Sequence, residues 1–230
     1  GSSETGLQIM REGATSVKKY SFELGGNAPV IVMPDVDLDE VAANIVAKKT
    51  GFAGQTCVNY NRIYVQERIY PQLCEKVAEK LRAVKLGRWK DEGQVMGPLI
   101  NKKARDRMLE LVDDAVKSGA KLVMGGEVPE DFAKGAYMTP ALLVDVTDDM
   151  RVSKEEIFGP ILPMLTFDRL QEAIDFIRGR EKPLALYLFT SSKATERRVF
   201  DTLSFGGGCV NDTIIHLATS QMPFGGVGES

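Results

Sequence analysis

Histidine is almost missing from this sequence: His216 is the single one in 230 residues. Cysteines are few and odd in number, at Cys57, Cys74 and Cys209, and none forms a CxxC pair. A zinc site draws on several such ligands at short recurring spacings, so no metal is expected. A disulfide framework is excluded on the same count, and a reducing, cytoplasmic compartment is expected. A cysteine–histidine hydrolase would need His216 itself beside the thiol. Neither sign of charge is in excess, since 29 basic residues face 32 acidic ones for a net charge of −3. Nucleic-acid-binding domains are usually markedly basic, so no nucleic-acid partner is expected. Long apolar runs are also lacking. APVIVM and LALYLF fall far short of the ~20 residues that cross a bilayer, and no membrane partner is expected.

What the chain does have is material for a core. Its hydrophobic content is 43%, and a chain of this size buries roughly 70% of its unfolded surface. Strand and helix signals alternate along it. SVKKYSFEL, with Val17, Phe22 and Leu24 among polar residues, reads as a strand, and VIVM as a short buried one. DLDEVAANIVAKK reads as a helix with Asp37 as N-cap and Glu40 three residues on, and Val41, Ala42, Ile45 and Val46 share one face. Arg62 to Gln66 reads as a strand. Ile69, Leu73, Val77 and Leu81 then recur at helical spacing on a helix expected to stop near Gly87. A further helix starts after Asn101 and ends at Gly119, a residue suited to the position after a helix end. KLVMGG, TPALLVDV, GPILPMLTF, LALYLFT and GGCVND read as strands, LQEAIDFIRG and KATERRVFDTL as helices. The alternation predicts an α/β domain, a mostly parallel sheet flanked by helices. GGEVPEDFAKGAY is expected to be a surface excursion.

A few stretches hold candidate chemistry. In FAGQTC, Gly51 and Gly54 break the preceding helix and present Cys57 on a loop, where a thiol is reachable. Cys74 lies beside Leu73 in a helical stripe and Cys209 in a strand after three glycines, so both read as core residues, and His216 as a structural one. In FELGGNAP, Glu23 ends the SVKKYSFEL strand, and paired glycines let backbone approach a ligand closely. EEIFGPILP sets Glu156 and Phe158 before a Gly-Pro turn. PFGGVGES is glycine-rich without the GxGxxG spacing. GSSETG reads either as a phosphate-binding loop or as a cloning scar. Taken singly, each has a plain alternative: a solvated glutamate, an ordinary turn, a core phenylalanine.

Taken together they are specific. FELGG, GQTC, EEIFGP and PFGGVGES occur in that order, with Cys57 placed 34 residues after Glu23. This set closely resembles the catalytic part of the NAD(P)-dependent aldehyde dehydrogenase superfamily, along essentially the whole chain. The resemblance implies an aldehyde dehydrogenase catalytic-domain fold with NAD or NADP as cofactor and a small aldehyde as substrate. It implies that Cys57 attacks the aldehyde, that hydride then leaves a thiohemiacetal, and that Glu23 deprotonates the water that hydrolyses the thioester. It further implies that Glu156 bonds the nicotinamide-side ribose, that Phe158 packs along the nicotinamide, and that the backbone of Leu24 and Gly25 approaches it. Gly1 and Gly6 resemble glycines near the cofactor phosphates, and residues 1–20 resemble the end of the cofactor-binding segment.

The upstream half of the family, with most of the dinucleotide site and an asparagine oxyanion donor, has no counterpart here, and Asn27 is not at that position. Residues 1–230 are therefore expected to form a catalytic domain with little NAD-dependent turnover of its own, drawn from a parent homodimer or homotetramer. The part through SGAKLVMGG most resembles succinate-semialdehyde enzymes, and the part from EEIFGPILP onward the branch for fatty and aromatic aldehydes. Two alternatives stand beside this expectation: a cysteine-dependent esterase or acyl transferase using Cys57 and Glu23, and a non-catalytic structural unit.

Overall fold

A strand covered on both faces must be apolar throughout, and β1 (Pro29–Val32) is buried at every residue. In the computed structural model, which describes residues 1–88, 90–93 and 96–230, β1 pairs in parallel with β2 (Arg62–Gln66) and with β6 (Ala185–Phe189). With β3 (Lys121–Met124), β4 (Ala141–Val144), β5 (Ile161–Phe167) and β7 (Gly207–Val210), the sheet runs β3-β4-β5-β2-β1-β6-β7. Among the described residues the β3–β4 pair is the one antiparallel pair of the sheet. The mostly parallel α/β sheet predicted from the alternation is what forms.

Seven α-helices are described: α1 (Ser3–Gly13), α2 (Leu38–Thr50), α3 (Tyr70–Arg82), α4 (Lys102–Lys117), α5 (Arg151–Lys154), α6 (Leu170–Arg178) and α7 (Lys193–Thr202). The Asp37 carboxylate caps α2 by accepting from the N–H groups of Asp39 and Glu40. Asn101 caps α4 in the same way, and Gly119 follows the helix with φ +108. Val41 and Ile45 of α2 and Leu73 and Val77 of α3 cover one face of the sheet. Leu111 of α4, Ile174 of α6 and Val199 of α7 lie in the core on the other.

Two expectations for the first residues are corrected. The described residues 17–28 form neither helix nor strand. β1 is already flanked by β2 and β6, and the alternating pattern is met locally instead: Val17 is fully exposed and the Tyr20 ring stacks on Phe22 at 5.2 Å. Glu23 therefore sits in an irregular segment ahead of β1 and does not end a strand. GSSETG is not a loop but the start of α1, with the Ser2 hydroxyl accepting the Thr5 N–H at 3.2 Å. The helix read as far as Gly87 ends at Arg82.

The topology decides where chemistry can gather. Glu23 precedes β1, Cys57 precedes β2, Glu156 precedes β5 and Gly206 precedes β7. All four lie at the amino edge of the parallel strands, whereas open α/β sheets commonly bind ligands at the carboxyl edge.

Candidate active site

The path from α2 to the thiol is a tight reversal. Phe52, Ala53 and Gly54 follow one another at φ 51, 53 and 74. Left-handed backbone is costly for residues with a Cβ, so its surroundings must hold this turn in place. Gly54 has a second constraint: a Cβ there would collide with the carbonyl of Gly159, the contact that draws the loop before β5 against the loop before β2. Asn59, fully buried, donates from Nδ2 to the Gly54 carbonyl, and its Oδ1 accepts the Tyr60 N–H at 2.8 Å. Gln55 accepts the Ile100 N–H at 2.8 Å and donates to the Phe52 carbonyl at 2.9 Å.

This turn places Cys57, half-buried, in the wall of a 620 Å³ cleft that also presents Glu23, Leu24, Gly25, Gln55, Glu156, Phe158, Gly1 and Ser2. Of the residues singled out in the sequence for catalysis or cofactor binding, Gly6 alone is outside this lining. It lies within α1, buried against Leu24, where a Cβ would come within 3.0 Å of that side chain. Its role in the structure is to let α1 pack beneath the cleft wall.

Burial pushes the Cys57 thiol above its ordinary pKa, and the Glu156 and Glu23 carboxylates push it further. Hydrogen bonds from its own backbone N–H and that of Val58 act in the opposite direction. Main-chain donors are thus already aimed at the sulfur. Glu156 is mostly buried, and burial raises its carboxyl pKa against the pull of the Gly26 N–H, Arg107 and Lys49. Its Oε1 is buried with no hydrogen-bond partner. Its Oε2 occupies the space a Cβ on Gly25 would fill, so the first glycine of the pair after Leu24 admits this carboxylate. The second, Gly26, lets the Cys57 carbonyl approach: a Cβ would lie 3.2 Å from it.

Several residues missed in the sequence hold these groups. Arg107 of α4 donates to the carbonyls of Ile157 and Glu156, both at 2.9 Å, and to the Glu155 carboxylate at 3.1 Å, fastening the loop that carries Glu156 and Phe158. Lys49, fully buried, donates to the Tyr60 carbonyl at 2.5 Å, and burial pushes its pKa down to about 7. Asn61 donates to the Gly26 carbonyl at 2.9 Å and Arg62 to the Asn27 carbonyl at 2.7 Å. Asn27 itself donates to the Ser153 carbonyl at 2.8 Å, away from the thiol. His216 is buried with Nδ1 3.1 Å from Cys209 Sγ, so the lone histidine pairs with a different cysteine. Cys209 is buried in β7, as read from the sequence, and Cys74 is half-buried in α3.

The model of the aldehyde dehydrogenase family matches residues 1–230. The chain is an aldehyde dehydrogenase family member. It is 40% identical over 230 residues to the mitochondrial succinate-semialdehyde dehydrogenase of Arabidopsis thaliana, covering 100% of the chain and 43% of that protein. It is 39% identical over 230 residues to the 4,4'-diaponeurosporen-aldehyde dehydrogenase of Staphylococcus aureus, covering 100% of the chain and 49% of that protein. The crystal structure of an Escherichia coli NADP-dependent enzyme superposes with a TM-score of 0.94 at 39% identity, over 100% of the chain and 47% of its own. The chain spans about half the length of the curated relatives it matches.

Proposed function

We propose that this chain carries the nucleophile, the general base and the nicotinamide-side wall of an enzyme that oxidises an aldehyde to a carboxylic acid with NAD or NADP. The observation that carries this reading is the convergence of Cys57, Glu23 and Glu156 on one cleft at the amino edge of the sheet. The residues fit a nicotinamide dinucleotide. Glu156 Oε1 is a buried acceptor without a donor, as a ribose hydroxyl would supply. Phe158, 42% exposed, offers a flat apolar surface, and Gly25 keeps the backbone open beside it. Gly1 and Ser2 bring the amino end of α1 to the same cleft, a place that favours phosphate. When bound, the nicotinamide ring accepts hydride.

The chain's own groups do the rest. The Cys57 thiol gives its proton to Glu23, which releases it to solvent, as Sγ bonds the aldehyde carbon and the carbonyl electrons move onto oxygen. A backbone N–H that turns to that oxyanion is worth roughly 3 kcal/mol, and the N–H groups of Cys57 and Val58, which bond the sulfur, are the nearest candidates. Collapse of the oxyanion expels hydride and leaves a thioester on Sγ. Glu23 takes a proton from water as its oxygen bonds the thioester carbon. The C–S bond then breaks, the thiol re-forms and the acid departs. A positioned base of this kind contributes roughly 10²- to 10⁴-fold. We place this chemistry in a cytoplasmic homodimer or homotetramer acting on a small aldehyde, without nucleic acid or membrane. Among the described residues no helix is long and apolar enough to cross a membrane.

An activated ester separates the covalent half of this scheme from the hydride step. With p-nitrophenyl acetate, the expected result is an acetyl group on Cys57 by peptide mass spectrometry, absent in Cys57→Ala and accumulating in Glu23→Gln. Acetylation of Cys74 in its place, or deacylation at the parent rate in Glu23→Gln, would overturn the assignment. Aldehyde-dependent formation of NADH or NADPH, in the enzyme that carries this chain, tests the redox half.

A further inference from the structure

Behind the cleft, one set of polar groups joins the three loops that carry Glu23, Cys57 and Glu156. Arg62 opens β2, five residues after Cys57, and is fully buried. Its Nη2 donates at 2.7 Å to the carbonyl of Asn27, four residues after Glu23. The Asn27 side chain donates at 2.8 Å to the carbonyl of Ser153, three residues ahead of Glu156. Ser153, also fully buried, donates its hydroxyl to the Thr147 carbonyl at 2.9 Å. The next residue, Asp148, accepts the Tyr64 hydroxyl at 2.7 Å, and the Tyr64 oxygen accepts from Arg62 Nη1 at 3.5 Å. The bonds close into a circuit that runs through Arg62, Asn27, Ser153, Thr147, Asp148 and Tyr64.

Burial makes this arginine costly. Its Nε has no acceptor, and Asn27 Oδ1 has no donor. The carboxylate of the circuit, Asp148, forms its salt bridge with Arg180 at 2.6 Å and meets Arg62 through the Tyr64 hydroxyl. An apolar side chain often packs as stably as a buried charge of this kind, and buried polar atoms without partners call for a reason. What arginine adds is geometry, because its planar fork donates in two fixed directions. One direction is the Asn27 carbonyl, ahead of the neighbouring strand β1, and the other is Tyr64 on its own strand. Asn61 adds a hold beside it, donating to the Gly26 carbonyl at 2.9 Å. Residues 23–26 therefore hang from a buried anchor at the start of β2, in register with the loop that carries Cys57.

We propose that Arg62 is a positioning residue for Glu23: through Asn27 it holds the base at its working distance from Cys57. The proposal rests on the reading of Glu23 as the group that deprotonates water. Arg62 is not part of the cleft lining and acts through the backbone.

Turnover of p-nitrophenyl acetate tests this, with loss of acetyl from Cys57 as the readout and Glu23→Gln as the reference. Arg62→Met should slow deacylation roughly tenfold. In Glu23→Gln the same change should slow it further by less than about twofold, because the group that Arg62 places is already gone. Acetylation of Cys57 in that background should also hold within about twofold. Tyr64→Phe keeps the aromatic volume and removes one link, so it should slow deacylation about threefold in the parent and not in Glu23→Gln. That variant carries the test if Arg62→Met does not fold. Deacylation unmoved by either change overturns the proposal. So does equal slowing with and without the Glu23 carboxylate, which would make Arg62 a support of the sheet at large. If Glu23→Gln itself deacylates at the parent rate, the assignment of the base fails, and the positioning role falls with it.

Discussion

The two walls of the cleft are built to different standards. The thiol wall is woven into the sheet. Asn59, Lys49, Asn61 and Tyr187, all buried, hold the carbonyls of Gly54, Tyr60, Gly26 and Val58 around Cys57. The base wall is irregular chain attached at a few exposed points. The Gly1 nitrogen donates to the Glu23 carbonyl at 2.7 Å, the Ser3 hydroxyl donates to the Glu229 carbonyl at 3.0 Å, and Leu24 rests on Gly6. Cys57 is therefore positioned by the sheet, and Glu23 by fewer and more exposed contacts. The asymmetry suits the proposed roles. Covalent attack by Cys57 would demand a fixed approach, while Glu23 would serve first the thiol and then a water.

Substitutions on each wall sharpen or break this contrast. The largest effect is expected from Cys57→Ala, which should abolish ester acylation, while Cys74→Ala leaves it within about twofold. Next, Glu23→Gln should slow deacylation by roughly 10²- to 10⁴-fold without lowering stability in urea unfolding. A large loss of stability would mean that the base wall is as integral as the thiol wall. Third, Gly54→Ala meets both a left-handed backbone and the Gly159 carbonyl, and should cost about 3 kcal/mol in urea unfolding. A fourth test uses pH. Lys49 has its pKa pushed down to about 7 in the folded chain by burial, against roughly 10.4 when unfolded. Between these values the unfolded chain binds the extra proton, so stability rises with pH, and the penalty is complete below pH 7. The thermal midpoint should climb by roughly 4–8 °C from pH 6.5 to 8.5, and the climb should shrink in Lys49→Met. The smallest effect belongs to Ser3→Ala, which removes one exposed hydrogen bond and should cost less than about 0.5 kcal/mol.

The parts of this site that announce themselves in the sequence are local. Two glycines around a helix end expose Cys57, and an Asp-x-x-Glu pattern starts α2, because backbone limits and capping act within a few residues. SVKKYSFEL shows where such reasoning stops: its alternation suits a strand, but a strand needs a free neighbour, and the sheet positions beside β1 are taken by β2 and β6. Arg107 was not legible because its partners lie some 50 residues away, in the loop before β5. Lys49 did leave a signal. It follows Ile45 by four residues, on the apolar face of α2, where a lysine demands an explanation. Phe52 and Ala53 left none, because left-handed turns ordinarily advertise themselves with glycine or asparagine.

The placement of the chemistry at one rim of the sheet leaves the other rim unencumbered. The turn after β6, where Asp35 gathers hydroxyl and N–H donors from Thr190 and Ser191, lies a full strand's length from the sulfur. Fluorophores, tethers or inserted peptides grafted just past those bonds, beyond Ser192, should report on the molecule without disturbing the proposed chemistry at Cys57.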